Sequence, residues 1–328
     1  MAKVVIGIHG LGNKPPQQLL EKWWLDSIHE GFKNSNLDIP KFKFELVYWS
    51  DLVYNKPENP DITDENDPDF IAEPYMPSSG AKTLVKDLSF RRKALKFVES
   101  QMERIFLNKD LSINFKGVSD IILHNYFKEL DMYYSPNQDG KIFKQRARQR
   151  LIEILQKYRF DDIMLIGHSM GSIIAYDVLQ FELKKQCIHT FVTIGSPLGL
   201  PFIRSFIAEE MRGNDPNYKI TTPNCVKRNW FNFSDLEDKV AINFDLSNNF
   251  EANSMNIKAV DFEVANDYSV NGNANPHKSY GYLRSREFII KLNDFLVEKE
   301  PFSLKKIIGF FKQLIAKLNT NQFNTKIR

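Results

Sequence analysis

The sequence predicts an α/β protein: a mostly parallel sheet with helices on both faces. Three observations carry that expectation. Short apolar runs recur at residues 3–8, 163–166 and 187–194, as strands buried on both faces require. Segments with apolar residues at helical spacing stand between them, notably 17–32 and 141–158. One junction of strand and helix, residues 160–176, carries a tight turn of small residues with a serine at its centre.

Composition sets the outer bounds. The chain has 328 residues, 42% hydrophobic and 26% charged, which suits a globular protein with a sizeable core. A net charge of +3 gives no argument for a nucleic-acid partner. Cys187 and Cys225 are too few for a disulfide framework and lack metal-ligand spacing, so no metal and no cofactor is expected. The opening apolar run, 4–8, is too short for a signal-peptide core, and no run approaches the roughly 18 residues of a membrane span. A cytoplasmic setting is the expectation.

Taken in order, the first strand spans 3–8 and ends in His9-Gly10-Leu11-Gly12. Pro15 and Pro16 suit the first turn of the helix at 17–32, where a missing N–H costs nothing. Residues 42–49 alternate as a second strand. Residues 56–73 then hold seven acidic residues with Pro57, Pro60 and Pro68 among them. Such a stretch cannot bury a core and reads as a mobile, solvated surface loop. It lacks the residue order of a calcium loop. Residues 82–107 predict an amphipathic helix through Leu84, Leu88, Leu95, Val98, Met102 and Ile105. Because 54–135 far exceeds an ordinary strand–helix connection, it reads as an insertion.

The helix at 141–158 leads into the strand at 163–166, and Gly167-His168-Ser169-Met170-Gly171 follows, fitting G-x-S-x-G. A serine at the tip of a sharp strand-to-helix turn takes strained backbone angles that project its hydroxyl from the sheet. Glycines two before and two after it, Gly167 and Gly171, avoid collision with the neighbouring strand and helix. Ser169 is therefore a candidate nucleophile. Beyond it lie a helix at 172–184, strands at 187–194, 226–233 and 255–264, and a small apolar helix near Phe206. A Gly/Asn-rich loop at 267–282 holds His277, and a helix at 283–297 closes the domain.

GHSMG in this context, with a His-Gly turn after an earlier strand, resembles the lipases and esterases of the α/β-hydrolase superfamily. The resemblance covers residues 3–298 and implies the α/β-hydrolase fold lacking its first two strands. It implies an oxyanion hole made by the backbone N–H groups of Leu11 and Met170, with His9 and Gly10 supporting that loop. The insertion would build a lid or acyl pocket, or a helix that buttresses the sheet. The implied chemistry is hydrolysis of carboxylic esters through an acyl-serine. An acyltransferase or thioesterase, or a non-catalytic binding protein of this fold, are the alternatives.

A serine hydroxyl needs a base, and the base a carboxylate that holds its tautomer. The fold's order is serine, acid, histidine. Downstream of Ser169 stand two histidines, His189 and His277. His189 opens a strand with no carboxylate ahead of it, so His277 is the expected base. Asp235 and Asp238 both follow the strand at 226–233; Asp238 is favoured because Asp238-Lys239-Val240 resembles the family's D-x-V segment. Beyond the 1–300 domain, residues 301–328 carry an apolar face through Leu304, Ile307, Ile308, Phe311, Leu314, Ile315 and Leu318. Six basic residues and no acid accompany it. Such a helix packs on the domain or a second subunit, or lies on an anionic membrane near a lipid ester.

Overall fold

In the computed structural model, residues 2–78, 80, 128–183, 186–212, 219–240 and 245–298 are described. The helix expected at 82–107 and the basic tail at 301–328 lie outside them. The described residues up to Leu296 belong to one compact unit.

Six strands make one sheet: β1 (Lys3–Ile8), β2 (Lys43–Val47), β3 (Asp162–His168), β4 (Ile188–Ile194), β5 (Val226–Ser234) and β6 (Ala259–Glu263). Their order is β2-β1-β3-β4-β5-β6, and every neighbouring pair is parallel. The apolar runs explain this. On β1, Val4, Ile6 and Ile8 face one core while Val5 faces the other; on β3, Ile163 and Leu165 oppose Met164 and Ile166. Alternate residues point to opposite faces, so a strand with both faces covered must be apolar throughout.

Helices cover both sides. One core holds side chains of α2 (Lys128–Tyr134), α3 (Gln138–Lys157), α4 (Met170–Asp177) and α5 (Pro201–Arg212). The other holds those of α1 (Gln17–Asn34) and of two helices after the sheet, given below. On α1, Leu20, Trp24, Ile28 and Phe32 fall on one stripe and are all buried, as the helical period requires. Asn137 caps α3 by accepting from the Gly140 N–H at 2.7 Å.

The chain runs from β1 outward to β2, then crosses back to β3 and continues the other way. That reversal places the ends of β1 and β3 at a topological switch point, where open α/β sheets hold their ligands. The observed architecture is thus the mostly parallel α/β sheet that the sequence predicts.

Several local expectations need correction. The acidic stretch at 56–73 is a largely exposed loop, as expected, but both of its ends are tied down. The Glu58 N–H donates to the Lys14 carbonyl at 3.0 Å, and Glu73 pairs with Lys278 at 2.9 Å. Composition missed this because these partners are remote in sequence. The helix behind Ser169 ends as α at Asp177 and continues as a π turn, Val178–Glu182. The loop at 267–282 contains a small hairpin, β7 (Ser269–Val270) and β8 (Asn273–Ala274). Asn271 and Gly272 turn it with φ of 49° and 81°, as an Asn-Gly two-residue turn requires. The final helix is two, α7 (Ser279–Arg284) and α8 (Arg286–Val297), parted at Ser285. Leu246–Asn249 forms a single turn, α6.

Candidate active site

β3 ends where Ser169 begins the turn, and Met170 opens α4. Ser169 has φ 51° and ψ −128°, a region that a side-chain-bearing residue occupies only when its surroundings force it. The Ser169 N–H donates to the Ile194 carbonyl at 3.2 Å, and the Ser172 N–H and hydroxyl both donate to the Ser169 carbonyl, at 2.9 and 2.6 Å. The neighbouring backbone leaves no room for side chains. A Cβ on Gly171 would collide with the Ile8 and His9 carbonyls, and one on Gly10 would come within 2.7 Å of the Ser169 Cβ. Gly10 thus brings the loop after β1 against the serine.

The structure brings Ser169, His277 and Asp238 into one chain of bonds. The Ser169 hydroxyl lies 3.0 Å from His277 Nε2, and His277 Nδ1–H donates to Asp238 Oδ2 at 2.8 Å. The Asp238 side chain is fully buried and that of His277 is 26% exposed, so the imidazole reaches toward solvent while the carboxylate lies in the interior. Asp235 does not reach His277. Its two oxygens accept from the Glu237 and Asn266 N–H groups, at 2.6 and 2.7 Å. Burial raises its pKa above the ordinary carboxylate value, against those two bonds. It is a turn staple.

Three further residues hold this constellation and were not singled out from the sequence. Tyr282 donates to Asp238 Oδ2 at 2.8 Å and accepts from the Asp235 N–H at 3.0 Å, linking the two aspartates. Burial first, then Asp238, pushes its phenol well above 10, so it stays a donor. His168 donates through Nε2 to the His277 carbonyl at 2.7 Å, and burial with His277 beside it keeps the imidazole neutral. Asn275 accepts from the His277 N–H at 3.0 Å and itself donates to Glu73 at 2.6 Å.

On the other side stands the loop after β1. His9 accepts from the Trp49 N–H at 3.0 Å through Nε2 and donates to the Gly10 carbonyl at 2.9 Å through Nδ1. Its ring stacks on Trp49 at 4.8 Å. Burial, then the charge of Lys14, lowers its pKa to about 3, so it is a neutral brace. The Met170 N–H opens α4 and has no acceptor within that helix. His189, by contrast, meets Thr190 Oγ1 at 2.8 Å and packs near Phe295. Among the described residues, no group of His, Cys, Asp or Glu is arranged to hold a metal.

Fold and site together are a parallel sheet covered by helices on both faces, with a serine, a histidine and an aspartate in bonding sequence at its switch point. Residues 117–209 match the model of the PGAP1-like alpha/beta domain family. That span holds the elbow and stops short of Asp238 and His277. No curated protein matches the chain by sequence. Among solved structures, an esterase of Pyrococcus furiosus is similar, with 14% identity over 90% of this chain and 82% of that one, at a TM-score of 0.29.

Proposed function

We propose that this chain is a serine hydrolase of lipase or esterase type, acting on carboxylic esters through an acyl-serine. The continuous bonding from Ser169 through His277 to Asp238 carries this reading. Ser169 Oγ attacks the ester carbonyl carbon while its proton passes to His277 Nε2. Asp238 holds the tautomer and balances the imidazolium. The carbonyl oxygen, now negative, lies against the N–H groups of Leu11 and Met170. Collapse breaks the bond to the alkoxy group, which leaves with the His277 proton. Water then attacks the acyl-serine by the same steps, giving the acid and free Ser169.

A fluorophosphonate probe tests the reading. Labelling at Ser169 supports it, and loss of about a thousandfold or more in kcat for Ser169→Ala, with folding intact, completes the case. A folded chain that does not label favours a binding protein of this fold instead.

Two further parts of the proposal come from the sequence. A reducing, cytoplasmic location fits the sparse cysteines, and no described helix is long and apolar enough to cross a membrane. The basic tail at 301–328 brings the site to lipid esters at an anionic surface. Flotation with anionic vesicles, comparing the full chain with one ending at Lys299, should show salt-sensitive recovery of the full chain alone. Equal recovery of both would reduce the tail to packing.

A further inference from the structure

One peptide plane in the loop after β1, just past the Gly10 that approaches Ser169, is held between opposite charges. The Leu11 carbonyl accepts from the Lys14 ammonium, while the Gly12 N–H of the same peptide donates to Glu129 Oε1 at 2.9 Å. In a planar trans peptide these two groups point opposite ways, so bonds at both ends fix its rotation. Lys14 also donates to the Gly12 and Asn13 carbonyls, each at 3.0 Å. The preceding peptide is fixed at its carbonyl, where His9 donates to Gly10 at 2.9 Å. That turns the Leu11 N–H to the far side.

Glu129 is itself a buried carboxylate at the start of α2, and accepts from the Tyr54 hydroxyl at 2.5 Å. Buried charges cost stability even when paired, and neither group serves a sheet or helix ladder. We propose that Lys14 and Glu129 are positioning residues, which set the Leu11 N–H toward a developing oxyanion by clamping the adjacent peptide between them. The clamp is geometric, and its catalytic consequence rests on the hydrolase reading above.

The groups facing the ammonium are Lys278, Glu58, Glu129, Glu73 and His9. Burial, then Lys278, lowers its pKa to about 8 against the three glutamates. Neutral Lys14 has two N–H donors for three carbonyls, so activity should fall as pH rises through that value. Stability moves the other way. The folded pKa lies below the ordinary 10.5, so in that window the unfolded chain binds more protons and this group's contribution to stability grows with pH. A lysine of purely structural role would not separate the two.

Lys14→Met and Glu129→Leu should each slow fluorophosphonate labelling and lower ester kcat by about tenfold or more, with KM nearly unchanged. Coupling should make the double variant no slower than the slower single one. Glu129→Gln, which keeps the acceptor, should recover most of the rate. Wild-type labelling should decline above pH 8 or so, and Lys14→Arg, which does not titrate there, should stay flat. Rates near wild type, additive losses, or identical alkaline declines in wild type and Lys14→Arg would overturn the proposal. Amide exchange at Gly12 supplies a readout free of activity: its protection should vanish in Lys14→Met and Glu129→Leu, and unchanged protection also overturns the clamp. Should wild type fold without labelling, the hydrolase reading falls and exchange still judges the clamp. If an apolar variant does not fold, Glu129→Gln and the Lys14→Arg profile decide.

Discussion

The elbow at Ser169 and the arm carrying His277 meet at 3.0 Å, yet they are built by opposite means. The elbow is local. Its strained φ of 51° is held by Ser172 three residues on and by the neighbouring strand at Ile194, with glycines where side chains would collide. The arm is assembled from afar. His168 holds the His277 carbonyl, Tyr282 holds Asp238, and Glu73 reaches Asn275 and Lys278 across some two hundred residues of chain. Backbone sterics therefore fix Ser169, while a set of separately replaceable side-chain bonds fixes His277. The difference predicts graded damage in the arm and all-or-none damage in the elbow.

The largest effects should come from the bonding chain that runs from Ser169 through His277 to Asp238. His277→Ala and Asp238→Asn should each lose on the order of a thousandfold in kcat with Tm little changed. If Asp235→Asn were the crippled variant instead, Asp235 would be the acid and the bond from His277 to Asp238 would be incidental. Tyr282→Phe comes next. It removes one donor from Asp238 and strands the buried Asp235 N–H, so kcat should fall by about tenfold and stability by about 1–3 kcal/mol in denaturant melts. Wild-type kcat in this variant would show that Asp238 needs no partner but His277.

Asp235→Asn should leave kcat within a few-fold and show itself in stability against pH. The folded pKa of Asp235 is raised, chiefly by burial. Its contribution is thus full below the ordinary carboxylate range and lost as pH rises through the folded value. The asparagine variant should lack that decline, and an unchanged profile would remove Asp235 from its origin. Glu73→Gln should matter least. Its side chain is 40% exposed, and ion pairs so placed contribute under about 1 kcal/mol. Activity within twofold or so is expected; a larger loss would make the contacts of Glu73 with Asn275 and Lys278 an essential part of the arm.

Legibility in the sequence follows the same division. Gly167 to Gly171 could be read because a strand, a turn and a helix are adjacent in chain, and their sterics leave a spacing. Asp238 and His277 were reached through the order that the resemblance implies, and in the structure His277 bonds to both Ser169 and Asp238. Tyr282, His168 and Asn275 left no such trace. A tyrosine in a helix or a histidine in a turn looks the same whether or not it meets a carboxylate, because its partner is set by packing. Asn271-Gly272 was read only as part of a Gly/Asn-rich loop, because the flanks of its hairpin, two residues each, are too short for periodicity to show.

The sequence by itself determined the strands buried on both faces, the alternation with helices, and the elbow. Each depends on residues within one element or its neighbour, where period and local sterics are written directly into residue order. Tertiary structure alone decided the strand order that puts β1 beside β3 and the choice between Asp235 and Asp238 as partner of His277. It also decided the docking of the acidic segment and the opposite charges across the Leu11–Gly12 peptide. Those depend on which remote groups meet once the sheet has closed, and a hydrogen bond between residues a hundred positions apart leaves no pattern in either stretch of sequence.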